Sequence, residues 1–205
     1  MKYFNLKSYH VMITDEAEAK MNAYIDLAKE EISGLGTVRE EDGLYIIDDV
    51  FIFNQTCSPT TTVLDQDKIM EFITDLINDG KDEIVNRLRL WWHSHADFGV
   101  FWSGTDRNTI NSMNADPVWI SIVGNKRGNK LVSVDYYNPR ISIDDVNLGV
   151  IKTEKNLDNI YENCKKEIEE KVNESPFGFY KNIKREKELD EMNKILEEIM
   201  EIESE

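Results

Sequence analysis

The sequence predicts an α+β fold, with a mixed, mainly antiparallel sheet flanked by helices and a helical extension at the C-terminal end. Short β-prone runs alternate with segments of helical periodicity. The β-prone runs 117–123 and 130–137 are separated by a turn-rich segment, as in a hairpin. From about residue 151, Lys, Glu and Asn dominate. This order of elements favours α+β over a doubly wound parallel sheet.

In the first third of the chain, strands surround one predicted helix. Residues 9–13 form a short β-prone run, and residues 15–30 carry apolar side chains at three- and four-residue spacing, typical of a helix. A strand begins over 31–36, and a strongly β-branched strand covers 44–54. Residues 55–65 hold one proline and four threonines, which indicates an irregular or extended loop.

The middle of the chain alternates helices and strands. Residues 67–78 predict a helix that ends at Gly80, and 87–92 predict a strand that runs into His93. Residues 103–113 predict a second helix, which the two hairpin strands follow. Residues 140–144, after Pro139, are predicted to add an edge strand.

Two regions are predicted, a domain over 1–148 and an acidic extension of two helices over 149–205. Each helix has an apolar face, and the break between them falls at 175–178. The first face comprises Leu157, Ile160, Tyr161, Cys164, Ile168 and Val172, and the second Leu189, Met192, Ile195, Leu196, Ile199 and Met200. These faces can pack on the domain, on a protein partner or on a second copy of the chain.

Composition excludes several classes of protein. The net charge of −16 argues against a broad nucleic-acid-binding face, which needs clustered Lys and Arg. No apolar stretch reaches the roughly 18 residues of a membrane span, and the N-terminus lacks a secretory pattern. Cys57 and Cys164 make no disulfide framework, so a cytoplasmic location is expected.

The segment that carries chemistry begins at His93. On a strand, His93 and His95 point to the same face, and Asp106 on the next helix can complete three ligands to one ion. Three protein ligands leave a position open for water, which is typical of catalytic zinc. Two other interpretations compete: the histidines can be polar surface, and Ser103-x-x-Asp106 can be a helix capping box. Capping and metal binding do not exclude each other.

Taken together, these residues resemble a known motif. His-x-His, seven residues, Ser, two residues and Asp resemble the JAMM motif of the MPN+ (JAB) metalloprotease family. Trp92, Phe98-Gly99 and the segment 103–109 fit the motif's surroundings. The family also has an upstream glutamate in a Glu-x-x-Gly setting, which Glu31 to Gly34 matches. The resemblance covers about residues 8–145.

The resemblance implies an MPN (JAB)-like fold and a role for each residue. His93, His95 and Asp106 would hold one catalytic Zn²⁺. Glu31 would act as general base, and Ser103 would donate a hydrogen bond to the oxyanion. The adjacent Glu30 is the alternative base, but the glycine three residues after Glu31 favours Glu31. The reaction would hydrolyse a peptide or isopeptide bond, as in members that release ubiquitin-like proteins from lysine.

One departure and three functional alternatives accompany the resemblance. Ala96 stands where the family usually has proline, so we expect a slightly looser loop with ligation intact. Residues 55–86 take the place that pairs with the modifier's tail in relatives, and Phe98, Phe101 and Trp102 are expected to offer the substrate an apolar wall. The alternatives are an isopeptidase acting on a modifier protein, a catalytically silent scaffold subunit, and a DNA-linked relative, against which the acidic charge argues.

Overall fold

The structure is a computed structural model that describes residues 11–113, 118–154 and 156–174. The start of the first predicted strand, including His10, and the second predicted C-terminal helix lie outside these residues.

A large sheet organises the described chain, which is mixed α/β and compatible with the predicted α+β class. The sheet has the strand order β10-β1-β3-β2-β6-β7-β8-β9. Antiparallel neighbours outnumber parallel ones there by four to three. The eight strands are β1 (Val11–Thr14), β2 (Ser33–Glu41), β3 (Leu44–Phe51), β6 (Leu88–Ser94), β7 (Val118–Gly124), β8 (Lys130–Tyr137), β9 (Arg140–Asp144) and β10 (Leu148–Ile151). A smaller sheet, in the order β11-β4-β5, contains β4 (Gln55–Ser58), β5 (Thr61–Leu64) and β11 (Val172–Glu174).

Helices cover both faces of the large sheet. The described helices are α1 (Asp15–Leu27), α2 (Gln66–Asn78), α3 (Asp82–Val85), α4 (Gly104–Ser112) and α5 (Ile160–Lys171). Apolar residues of α1 and α5 belong to one buried cluster with Trp92, whereas those of α2 and α4 belong to a second with Trp91. The adjacent tryptophans enter opposite cores because side chains alternate along β6. Among the described helices, none combines the length and apolarity that a membrane span requires.

Helix α1 begins as the sequence predicts but ends earlier. The Thr14 hydroxyl accepts a hydrogen bond from the Ala17 N–H at 3.2 Å and caps the helix. The helix ends at Leu27 instead of residue 30, because Ala28 is extended (ψ 136°) and Ile32 is fully buried in the core. The predicted strand start at residue 31 moves to Ser33 for the same reason, since residues 28–32 connect helix and sheet.

Of the irregular or extended loop predicted over 55–65, the extended backbone is correct and the irregular loop is wrong, because this segment contains the antiparallel hairpin β4–β5. Residues 59 and 60 form its turn, and the β-branched threonines favour extended backbone. Gln55 ties the hairpin to β2: its Oε1 accepts the Ser33 N–H and its Nε2 donates to the Ser33 carbonyl, both at 3.0 Å. The hairpin is therefore fixed beside the start of β2.

Residues after 148 contribute to both sheets. Strand β10 begins at the predicted domain boundary and pairs in parallel with β1. Helix α5 packs through the buried Cys164 on the α1 side of the sheet, and β11 pairs in parallel with β4. The first part of the predicted extension thus lies against the domain, whereas the division into two domains stays a prediction.

Close packing between β2 and β6 depends on Gly34. A Cβ at Gly34 would lie 2.0 Å from the Phe51 carbonyl oxygen and 2.8 Å from Trp92 Nε1. The Trp92 indole covers this glycine and donates to the Leu35 carbonyl at 3.2 Å. Any side chain at position 34 would push β2 away from both of its neighbours.

Gly34→Ala is therefore expected to lower the free energy of unfolding by about 3 kcal/mol, the upper part of the usual range for overpacked cores. Urea denaturation measures the change. Gly104→Ala is the matched control, since a Cβ there meets nothing within 4 Å. Equal stability of the two variants would contradict the packing role of Gly34.

Candidate metal centre

The antiparallel pairing of β2 with β6 places Glu31 beside the histidines. Ser33 pairs with His93, so the same register continued by two residues sets Glu31 opposite His95. The pairing does continue past the strand end. The Ser94 N–H donates to the Ile32 carbonyl at 2.8 Å, and the Ser94 hydroxyl oxygen accepts the Ile32 N–H at 3.1 Å.

Asp106 reaches the histidines from the first turn of α4. Ser103 is the N-cap: its hydroxyl oxygen accepts the Asp106 N–H at 3.2 Å, and its own N–H donates to Asp106 Oδ2 at 2.7 Å. The capping box proposed from sequence is thus formed. It also orients the carboxylate, whose Oδ1 faces His93.

The metal-binding atoms of three buried residues converge in this arrangement. His93 Nε2 lies 3.3 Å from His95 Nε2 and 3.3 Å from Asp106 Oδ1, and His95 Nε2 lies 3.7 Å from Asp106 Oδ2. The residues are only 6%, 5% and 7% exposed. Two ligands of a tetrahedral zinc ion, each about 2.0–2.1 Å from it, lie about 3.3–3.4 Å apart. The group could therefore bind a metal ion.

The hydrogen bonding of the imidazoles favours a cation between them. His95 Nδ1 lies 3.0 Å from the Gly99 carbonyl oxygen, which can only accept, so Nδ1 carries the proton and Nε2 presents a lone pair. His93 stacks on Trp91, with ring centroids 4.5 Å apart, and its buried Nδ1 has no hydrogen-bond partner in the described part of the chain. Both Nε2 atoms face the Asp106 carboxylate.

The electrostatics favour the metal-binding form of two of the three residues, the neutral His93 and the ionised Asp106. Burial lowers the pKa of His93, which favours its neutral form. The hydrogen bond to Asp106 raises the pKa of His95, whereas burial opposes that shift. Burial alone would raise the pKa of Asp106, but its close contacts with both imidazoles outweigh burial and hold that pKa well below its usual range. Asp106 is therefore a carboxylate at neutral pH.

Glu31 is held at the edge of this group by the hairpin. The Thr62 hydroxyl donates to the Glu31 carbonyl at 2.5 Å, and the Glu31 N–H donates to the Ser58 carbonyl at 3.3 Å. Burial raises the pKa of Glu31 to about 7, against the opposing charge of His95. A carboxyl group with this pKa can both accept and release a proton near neutral pH.

The loop after His95 follows a backbone path that proline could not take at position 96, whereas the looser loop expected from the sequence stays a prediction. Ala96 has φ +43°, a left-handed conformation that proline cannot adopt. The Ala96 carbonyl accepts the Lys126 N–H at 2.9 Å, and the Phe98 N–H donates to the His95 carbonyl at 2.8 Å. These two hydrogen bonds fix the loop in the conformation that has a left-handed Ala96.

Two aromatic residues expected to line the site face solvent. Phe98 is 60% exposed and Phe101 is 55% exposed, whereas Trp102 is half-buried. The Phe101 ring meets the His95 ring edge-on, with centroids 4.7 Å apart. An apolar surface therefore borders the buried group of His93, His95 and Asp106.

Sequence reasoning missed the residues that position the site. Ser94, Gln55 and Thr62 act through hydrogen bonds between elements distant in sequence, which no local pattern indicates. The sequence shows Asn125 only as part of a turn-rich segment, whereas in the structure it is 3% exposed. A buried asparagine whose amide bonds a neighbouring loop is recognisable only in the folded chain.

Comparisons with known proteins do not assign this chain to a family. No protein-family model matches the chain, and no curated protein matches it. A solved structure, that of protein DSY2949 from Desulfitobacterium hafniense, superposes with a TM-score of 0.48 at 15% identity, covering 71% of this chain and 94% of that one. Similarity at this level carries no argument about fold or function.

Removing a ligand is expected to abolish metal binding without unfolding the chain. Wild-type protein dialysed against zinc should retain about one ion per chain, whereas His93→Ala and Asp106→Ala should retain almost none. Elemental analysis after gel filtration measures the ratio, and circular dichroism verifies the fold. Zinc retained equally by all three proteins would rule out these ligands.

Because the backbone at Ala96 is left-handed, substitutions by glycine and by proline are expected to differ in their effect on stability. Ala96→Gly is expected to change stability by at most about 1 kcal/mol, because strain relief and lost chain entropy nearly cancel. Ala96→Pro should destabilise the chain by about 3 kcal/mol or more and weaken zinc binding, because the ring forbids this φ. Thermal denaturation and zinc titration decide. A proline variant that behaves like the glycine variant would contradict the observed loop path.

Proposed function

We propose that this chain is a zinc-dependent hydrolase of the MPN+ (JAMM) kind that cleaves a peptide or isopeptide bond. The observation that carries the proposal is the buried convergence of His93, His95 and Asp106, whose donor atoms all lie within 4.8 Å of one another. The position of Glu31 opposite His95 supports it further. The mixed sheet with helices on both faces is compatible with the MPN-like fold that we infer.

The donor set suits zinc in a catalytic site. Two imidazole nitrogens and one carboxylate oxygen make three protein ligands, and catalytic zinc commonly has three plus water. When bound, zinc would polarise the substrate carbonyl and lower the pKa of water towards neutrality. Sulfur ligands are not needed, since His93, His95 and Asp106 already make three. Cys57 and Cys164 are buried and not joined in a disulfide, which fits the cytoplasmic location that we propose.

Two residues of the chain would carry the proton and stabilise the charge. Glu31 would take a proton from the attacking water and deliver it to the leaving amine. The Ser103 hydroxyl accepts the Asp106 N–H, which leaves its own proton free to donate to the developing oxyanion. A half-buried base with a pKa of about 7 suits both proton transfers.

The surroundings of the site favour a protein substrate with an extended tail. Strand β5 lies at one edge of the small sheet, next to Glu31, and an extended peptide can add to such an edge. Phe98 and Phe101 would contact apolar residues beside the scissile bond. A ubiquitin-like or other small modifier protein has such a tail, so we propose its release as the reaction.

A zinc-loaded screen against fusions of ubiquitin-like proteins tests the function. Cleavage at the modifier's C-terminus, abolished by a chelator and restored by zinc, is the expected result. Zinc binding without cleavage of any fusion would favour the silent scaffold that shares this motif. A chain that neither binds zinc nor cleaves would contradict the proposal altogether.

Glu31→Gln is expected to retain zinc and to lower turnover by about 10²–10⁴-fold, the usual contribution of a general base. Wild-type activity should fall below about pH 7, because a protonated Glu31 cannot accept a proton and the histidine ligands also become protonated. Cleavage rates across pH measure both effects. Glu30→Gln is the matched control and should keep full activity; the reverse outcome would transfer the role to Glu30.

A further inference from the structure

The turn between β7 and β8 holds the loop that follows His95. Three hydrogen bonds join them: the His95 N–H donates to the Gly124 carbonyl at 2.9 Å, the Lys126 N–H to the Ala96 carbonyl at 2.9 Å, and Asn125 Nδ2 to the Phe98 carbonyl at 2.8 Å. Only the bond from Asn125 involves a side chain. It is therefore the one contact of the three that a substitution can remove.

The Asn125 side chain forms hydrogen bonds both within the β7–β8 turn and to the loop after His95. Its Oδ1 accepts the Arg127 and Asn129 N–H groups, both at 3.1 Å, and so closes the turn. Its Nδ2 leaves the turn and reaches Phe98. Asn125 is 3% exposed, so water cannot easily replace the lost bond.

The hydrogen bond from Asn125 to Phe98 affects the position of His95, one of the proposed metal ligands. The next carbonyl, that of Gly99, accepts the Nδ1–H of His95 at 3.0 Å. This acceptor sets the tautomer of His95 and directs its Nε2 towards His93 and Asp106. A shift of the Phe98–Gly99 backbone would weaken that bond and turn the imidazole.

We propose that Asn125 is a positioning residue for the metal centre, which holds the Gly99 carbonyl where His95 needs it. This inference rests on the proposed function, since it assumes that His95 binds the metal. Partners that orient ligating histidines contribute about 10–100-fold to metal affinity or activity. Asn125 acts one step further out, so the lower end of that range is expected.

Asn125→Asp separates the two tasks of the side chain. The carboxylate keeps an acceptor for the turn but loses the donor to Phe98 and repels its carbonyl. Asn125→Ala removes both functions without adding charge, and Asn129→Ala alters an exposed side chain of the same turn. Zinc affinity, by competition with a chromophoric chelator, is one readout. The other is the ¹⁵N spectrum of the His95 imidazole in the metal-free protein.

The expected result is a zinc affinity about tenfold lower for Asn125→Asp, with Asn129→Ala unchanged. The metal-free spectrum should show faster exchange of the His95 Nδ1 proton, a change that a general loss of stability would not confine to one imidazole. If Asn125→Asp fails to fold, the same result is expected of Asn125→Ala.

A folded Asn125 variant with wild-type zinc affinity and a wild-type His95 spectrum would overturn this role while leaving the metal centre intact. A wild-type chain that binds no zinc would instead refute the metal centre itself, and the role of Asn125 with it. The two failures are therefore distinguishable in one titration.

Discussion

The pairing of β2 with β6 is the constraint on which the rest of the site depends. Because Ser33 pairs with His93, the start of β2 lies beside the end of β6, and Glu31 comes opposite His95. The pairing is close only because position 34 has no side chain between Phe51 and Trp92. Gly34 is thus a structural requirement of the site, and the Glu-x-x-Gly pattern has a physical reason: Glu31 and Gly34 both lie where β2 approaches β6 closely.

Burial gives the converging groups their chemical character. The Asp106 carboxylate stays charged among buried residues because the capping box and the imidazoles donate to it or face it. A buried carboxylate beside two imidazole lone pairs is a costly arrangement unless a cation or protons occupy the space between them. Burial acts to raise the pKa of both acids, and at Asp106 the contacts with the imidazoles outweigh it, whereas the pKa of Glu31 rises to about 7. The pKa values of two neighbouring acids are therefore shifted in opposite directions.

Elements that are stabilised by interactions between neighbouring residues could be predicted from the local sequence pattern. The periodicity of 67–78 predicted α2, and the turn-rich segment between two β-prone runs predicted the β7–β8 hairpin. The spacing of His93, His95 and Asp106 predicted a common site because a strand end and a helix N-terminus follow each other closely, and the structure brings these residues together.

The elements that the sequence did not predict depend on contacts between residues far apart in the chain. The hairpin at 55–65 forms where it can bond Ser33 and Glu31, and β10 forms because β1 offers an edge. The early end of α1 reflects the burial of Ile32, which overrides the helix propensity of residues 28–30. The left-handed Ala96 depends on bonds from the β7–β8 turn, about 30 residues away in sequence.

X-ray absorption at the zinc edge of the purified, zinc-loaded protein tests the metal centre most directly. We predict a first shell of nitrogen and oxygen only, at about 2.0–2.1 Å, with the outer-shell scattering of two imidazoles. A sulfur shell at about 2.3 Å, or no zinc retained after gel filtration, would contradict the assignment of His93, His95 and Asp106 as its ligands.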